Sequence, residues 1–189
     1  MSQPFDYSGK RIVITGAFSG VGAACLDVLR DLGADAVIPL DIKKPAGPID
    51  SYIETNKGDA ASVAAAVAAI DGPIDVLFNN AGIAATRPVA DVLAVNWLGL
   101  RQLSEALLPR IREGGAIVNT ASIAGGQWPG HRPYVLECIA IEARGELAAW
   151  CDNHMEIVGD GYGFSKECVQ VYTMKSANQC LARGVRTNR

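Results

Sequence analysis

A doubly wound parallel α/β sheet is the fold class this sequence predicts, and three observations predict it. Short β-branched runs alternate with helical stretches along the chain, the first run opens through a glycine turn into a helix, and polar residues fall just after successive runs. Strand–helix–strand repeats imply right-handed crossovers, which put helices on both faces of a parallel sheet. Ligands of such sheets bind beyond the carboxyl ends of the strands.

The predicted strands are Arg11 to Thr15, Ala36 to Leu40, Tyr52 to Thr55, Ile74 to Asn79 and Ala116 to Thr120. The predicted helices are Ala23 to Leu32, Ala60 to Ile70, Pro88 to Asn96, Leu98 to Arg112 and Tyr162 to Arg183. Ala60 to Ala69 is rich in one residue, but small side chains on a packed helix explain it. The whole chain, 1–189, reads as a single domain: 189 residues with 49% hydrophobic content and a mean hydropathy of +0.16 suit one well-buried core.

The first turn is Thr15-Gly16-Ala17-Phe18-Ser19-Gly20-Val21-Gly22. A strand feeding glycines and then a helix start gathers backbone N–H groups and the positive end of a helix dipole at one point, so an anion such as a pyrophosphate belongs there. Gly16, Gly20 and Gly22 allow the tight turn, the approach of phosphate to backbone, and close helix-to-strand packing. Near the other end, Tyr162 and Lys166 are four apart on one helix face. A phenol with a reference pKa of about 10 is a poor proton donor or acceptor near neutrality unless a cation stabilises its phenolate. Lys166 is placed to be that cation.

These motifs together resemble the short-chain dehydrogenases/reductases. The glycine turn resembles the family's first motif, Asn79-Asn80-Ala81-Gly82 its post-strand motif, and Asn96, Ser122, Tyr162 and Lys166 its catalytic set. The resemblance runs from about Gly9 to the last residue and implies a Rossmann-like fold. Within the family, the long segment before Tyr162 is similar to the 3α-hydroxysteroid dehydrogenase/carbonyl reductase and coniferyl-alcohol dehydrogenase group.

The resemblance implies hydride transfer between a nicotinamide cofactor and an alcohol or its carbonyl, possible substrates being a steroid or aryl alcohol. Tyr162 would be the proton donor, Ser122 would hold the substrate oxygen, Lys166 would grip the nicotinamide ribose and Asn96 would position a water. Ser122 could instead be a loop cap, and Asn96 a helix-ending residue. Gly16, Ser19, Gly20, Val21 and Gly22 would hold the pyrophosphate, and Asn80, Ala81 and Gly82 would border the adenine ribose. Asp59 with Ala60 would meet the adenine edge, Asp59 also serving as an N-cap. Asp41, 19 positions beyond Gly22, would take the ribose hydroxyls. Its charge would repel a 2′-phosphate, which favours NAD over NADP, although Lys43-Lys44 could attract one. The alternative function is a dinucleotide-binding sensor or inactive fragment without turnover.

Ser122 and Tyr162 stand 40 positions apart, whereas the family's usual gap is about a dozen, so an insertion must loop out and return. Tyr134 sits at the usual distance but is followed four residues on by Cys138, not a lysine. Val135, Ile139, Ala143, Leu147 and Trp150 recur at helical spacing, which predicts one amphipathic helix whose apolar face covers core or a neighbouring subunit. His131, Cys138, Cys151 and His154 have ligand chemistry but match no compact zinc module, so no metal is expected.

A net charge of −3 and a pI near 5.4 offer no electrostatic footprint for nucleic acid or an anionic membrane. Five cysteines without C-x-x-C spacing argue against a disulfide framework. The N-terminus Met1 to Lys10 is polar and no long apolar run occurs, so a cytoplasmic protein is expected, with a small-molecule partner and, by resemblance, a homodimer or homotetramer. Gly184 to Arg189 resembles the start of the family's sixth strand, beyond which the family normally continues; a chain truncated there would lack the last elements of the usual fold.

Overall fold

The computed structural model describes residues 5–47, 49 and 51–189; Met1 to Pro4 of the polar N-terminus, with Pro48 and Asp50, lie outside the described residues. Six strands form one parallel sheet: β1 (Arg11–Thr15), β2 (Ala36–Asp41), β3 (Ile53–Glu54), β4 (Ile74–Asn79), β5 (Ile111–Asn119) and β6 (Arg186–Asn188). Their spatial order is β3-β2-β1-β4-β5-β6, and every printed pair is parallel. The chain reverses its winding direction between β1 and β4. Loops at the carboxyl ends of those two strands diverge to opposite sides, which opens a cleft.

Helix α1 (Gly20–Asp31) packs Leu26 and Leu29 against Ile12 and Ile14 of β1. On the opposite face, α2 (Ala60–Ala69) and a helix running from 89 to 107 cover Val13, Leu77 and Ile117 with Val63, Leu103 and Leu107. Alternation along β1 sends its side chains to both covered faces, which leaves Ile12, Val13 and Ile14 fully buried. The helix from 89 to 107 is α3 (Val89–Leu93), a π-helical turn (Ala94–Leu98) and α4 (Gly99–Leu107) in direct succession. Asn96 therefore lies inside a helix and does not end one.

Two stretches depart most from expectation, for visible reasons. The predicted helix to Arg112 stops at Leu107, gives a 3₁₀ turn containing Pro109, and β5 starts at Ile111. Arg112 is drawn into strand by Asp75 of β4, with Nη1 2.7 Å from Oδ2, and the β4–β5 register shifts between Ile74 and Val76. The insertion does not form one helix. It forms α5 (Arg132–Cys138), α6 (Arg144–Asn153) and α7 (Met155–Val158). Arg101 of α4 donates to the carbonyls of Ile139 and Ile141 at 3.2 and 3.1 Å, so those groups are spent across the interface and the helix breaks there.

The apolar face of the insertion nonetheless buries in the protein, as the periodicity suggests. Val135, Cys138, Leu147 and Cys151 join Leu93, Trp97, Phe164 and Cys168 in a second core beneath α8 (Tyr162–Leu181). Burial pushes the Cys151 thiol up to about 12 and Cys168 well above its ordinary value. His131 bonds Glu167 at 3.0 Å, and His154 stacks on Trp150 and lies 2.8 Å from its carbonyl. The two histidines thus hold partners of their own while Cys138 and Cys151 share the second core, and among the described residues no His, Cys, Asp or Glu group is arranged to hold a metal.

Candidate active site

One large cleft, with a volume of about 1040 Å³, opens at the carboxyl ends of β1, β2, β4 and β5. Gly16 starts its floor with φ +73, a conformation that a side chain resists, and a Cβ there would lie 2.6 Å from the Ala81 Cα. Gly22, in the first turn of α1, is held so close that a Cβ would stand 1.9 Å from the Gly16 carbonyl oxygen. Gly20, with φ +60, has open space around it. The residue types are therefore dictated by a turn pressed against its neighbour, the shape a phosphate-binding turn requires. Ser19 and Val21 line the cleft beside Gly16, whereas Gly20 and Gly22 are not part of its lining.

Thr15 ties this turn to the next one. Its Oγ1 accepts from the backbone N–H groups of Asn80 and Ala81 at 3.0 and 2.9 Å, and Asn80 Nδ2 donates back to the Gly16 carbonyl at 3.2 Å. Asn80, Ala81 and Gly82 consequently form the cleft wall opposite Gly16. Asn79 faces away, donating to Ser104 and Asn119 in the interior at 2.8 and 2.9 Å. At the end of β2, Asp41 lines the cleft, its Oδ2 accepting from Phe18 N at 2.9 Å and its Oδ1 from Lys43 N at 3.1 Å. The carboxylate is thus oriented by backbone donors on both sides.

Tyr162, the first residue of α8, lines the same cleft, and the Asp160 carboxylate accepts from its backbone N–H at 3.0 Å. One helical turn on, Lys166 is 5% exposed, donates to the Thr120 carbonyl at 2.7 Å and holds its Nζ 5.7 Å from the Tyr162 ring centre. Burial lowers the lysine's pKa from its ordinary value. Asn96 sits behind Gly82: its Oδ1 accepts from Ile83 N at 2.7 Å, and its Nδ2 donates to Ile83 O and Ser165 Oγ. A Cβ on Gly82 would lie 3.2 Å from Asn96 Oδ1 and 3.8 Å from Lys166 Nζ, so both residues border that glycine. π-helical turns are uncommon and frequent at functional sites, and here one aims Asn96 back at the loop.

Three sequence-predicted residues, Ser122, Asp59 and Ala60, are not among those that line the cleft. Ser122 caps the short 3₁₀ turn Ile123–Gly125, its Oγ accepting from Ala124 N at 3.2 Å, and it is not part of the cleft's lining. Asp59 caps α2 by accepting from Ala61 N at 3.0 Å; neither it nor Ala60 lines the cleft. The wall at that end is Thr55, Asn56, Lys57 and Gly58 instead. Tyr134 is far from these roles, packed edge-on against His154 in the second core. Arg87, Arg144 and Lys57 line the cleft without having been singled out in the sequence. A lysine after a strand reads as solvated, and only its position on the same sheet edge as Asp41 signals otherwise.

The chain resembles known proteins over most of its length. The family described as short chain dehydrogenase matches residues 10–135. Coniferyl-alcohol dehydrogenase of Pseudomonas sp. strain HR199 is 34% identical over 182 residues, covering 96% of this chain and 71% of that protein. Among solved structures, 3-alpha-hydroxysteroid dehydrogenase of Pseudomonas sp. B-0831 in complex with NADH superposes with a TM-score of 0.78 at 29% identity, covering 94% of this chain and 69% of that one. A short chain dehydrogenase of Burkholderia cenocepacia J2315 in complex with NADP gives a TM-score of 0.69 at 25% identity, over 96% and 71%. The fold, the cleft at its switch point and these matches agree: the chain belongs to the short-chain dehydrogenase family of oxidoreductases.

Proposed function

We propose that the protein is an NAD-dependent oxidoreductase that interconverts an alcohol and its ketone or aldehyde, with steroid or aryl alcohols as the substrate class. The observation that carries this reading is the juxtaposition of Tyr162 and Lys166 with the glycine turn in one cleft. The cradle at Gly16 and Gly22 fits a dinucleotide, since a side chain at either position would collide with backbone. Bound there, a nicotinamide ring supplies the acceptor for hydride.

In the oxidation direction the alcohol carbon gives up hydride while its oxygen gives up a proton, which the Tyr162 side-chain oxygen takes up as a phenolate and so becomes a hydroxyl. Lys166, fixed by Thr120, keeps positive charge beside the ring as the proton moves. Asn96 holds the Ile83 backbone and thereby the cleft wall next to Lys166. Asp41 favours NAD, because a 2′-phosphate would bring negative charge to an oriented carboxylate. The aryl and steroid preference rests on the similarity to the coniferyl-alcohol dehydrogenase and the 3-alpha-hydroxysteroid dehydrogenase.

A screen of steroid, aryl and terpenoid alcohols for NADH formation tests this reading. Turnover with NAD is expected, and reduction of NADP as readily as NAD would contradict the cofactor assignment. A second reading, a dinucleotide-binding protein without turnover, draws on Ser122, whose hydroxyl is engaged with Ala124 and stands outside the cleft's lining. Tight NADH binding with no oxidation of any alcohol in the screen would favour it.

A further inference from the structure

Lys57 is the least ordinary residue of the cleft. It follows β3, lines the cleft wall and is 5% exposed, yet among the described residues it has no acidic partner; its Nζ donates to the Ala81 carbonyl at 3.1 Å. A buried ammonium without an anion is costly. The loop that carries it is nevertheless built to keep it there. Arg144, reaching over from α6, donates to the Gly58 carbonyl at 2.6 Å, Asn56 accepts from Gly58 N at 3.0 Å, and Asn56 N donates to Ser62 at 2.9 Å. Gly99 lets the Lys57 carbonyl approach α4 so closely that a Cβ would stand 2.0 Å from it.

We propose that Lys57 is a second cofactor-site cation, positioned by this clamp to receive its missing negative charge from the phosphates of the bound dinucleotide. The inference rests on the reading that the cleft takes a nicotinamide dinucleotide. Two lysines then serve that cleft beside the Ala81–Gly82 turn, Lys57 bonded to Ala81 and Lys166 next to Gly82.

Burial and the nearby Lys166 bring the Lys57 amine down to about 7. The other charged groups around it are accounted for. Asp91 pairs with Arg144, Asp59 caps α2, Glu54 is exposed at the end of β3, and Lys166 faces from α8. An arriving anion raises the pKa of a neighbouring amine, so binding takes up a proton where the empty site has lost it. Cofactor affinity should therefore fall as pH rises above 7.

The test is calorimetric titration of NADH into the natural protein from about pH 6 to 9, in two buffers of different ionisation enthalpy. The expected result is uptake approaching about one proton per NADH near pH 8, fading toward pH 6, with Kd rising by up to about tenfold per pH unit above 7. Lys57→Met should bind with a pH-independent Kd near the natural protein's high-pH value. Lys57→Arg, which cannot discharge, should hold the tight low-pH value throughout. Binding that is tight but flat with pH in the natural protein, or a pH dependence that survives in Lys57→Met and so belongs to Lys166, overturns the proposal while leaving the cofactor reading intact. Absence of NADH binding at every pH overturns both.

Discussion

The two ends of the cleft are made in different ways. Around Gly16 and Ala81 the wall is mostly backbone, and its shape follows from short motifs: a strand, a glycine turn, a threonine that accepts from the turn after the neighbouring strand β4. Between Ser122 and Tyr162 the chain leaves the sheet for three short helices, and what positions α8 is side-chain packing of Val135, Leu147 and Cys151 against Phe164 and Cys168. The first end is assembled by local geometry, the second by a core. The proposed function divides along the same line, with cofactor shape at one end and proton chemistry at the other.

The division is sharpest in Tyr162→Phe. Removing the hydroxyl should lower turnover by about 10² to 10⁴-fold, the usual contribution of a positioned proton donor, while NADH affinity measured by fluorescence titration stays within about threefold. A matching loss of binding would show that the two ends are not separable. Gly22→Ala attacks the other end. Its added carbon must displace the Gly16 carbonyl, so NADH binding should be lost or weakened more than about tenfold, with a stability cost of about 1–3 kcal/mol in urea unfolding. Unchanged affinity in that variant would mean that the turn adapts and the cradle is not required.

The pH dependence of stability probes the wall between the two ends. Lys57 has a folded-state pKa of about 7 against an ordinary 10.5, so the empty protein pays for burying its charge below pH 7 and is relieved as pH rises above 7. Without ligand, unfolding free energy should increase between pH 7 and 8.5 by up to about 1.4 kcal/mol per unit, since the unfolded chain then holds the extra proton. Lys166, also held down by burial, acts in the same direction. Lys57→Met should flatten most of the slope. The smallest effect is expected for Tyr134→Phe: that ring packs on His154 away from the cleft, so turnover should change by less than about twofold, and a large loss would reopen the choice of proton donor.

What could be read from the sequence follows the same contrast. β1 and β4 match their predicted bounds, and Gly16, Asp41, Asn80 and Ala81 stand together, because turn chemistry and strand pattern are short-range and leave marks on neighbouring residues. The break between α5 and α6 was invisible, since the cause is Arg101, about forty positions earlier. Asp59 is a cap and not a cleft residue because β3 ends at Glu54, one residue short of the predicted Thr55, and the loop after it brings Thr55 to Gly58 to the cleft first. Lys57 went unseen for a related reason: burial of a loop lysine depends on Ala81, Arg144 and Gly99, none of them near it in sequence.

Competition between NADH and NADPH for the natural protein at pH 7, read by fluorescence, tests the central claim most directly. That claim is that the glycine turn and Asp41 form one NAD-shaped site. The expected result is NADH binding at least about tenfold tighter than NADPH, with Asp41→Ser narrowing the gap, since one lost charge interaction and hydrogen bond is worth about that factor. Equal affinities in the natural protein, or tighter NADPH, would contradict the account.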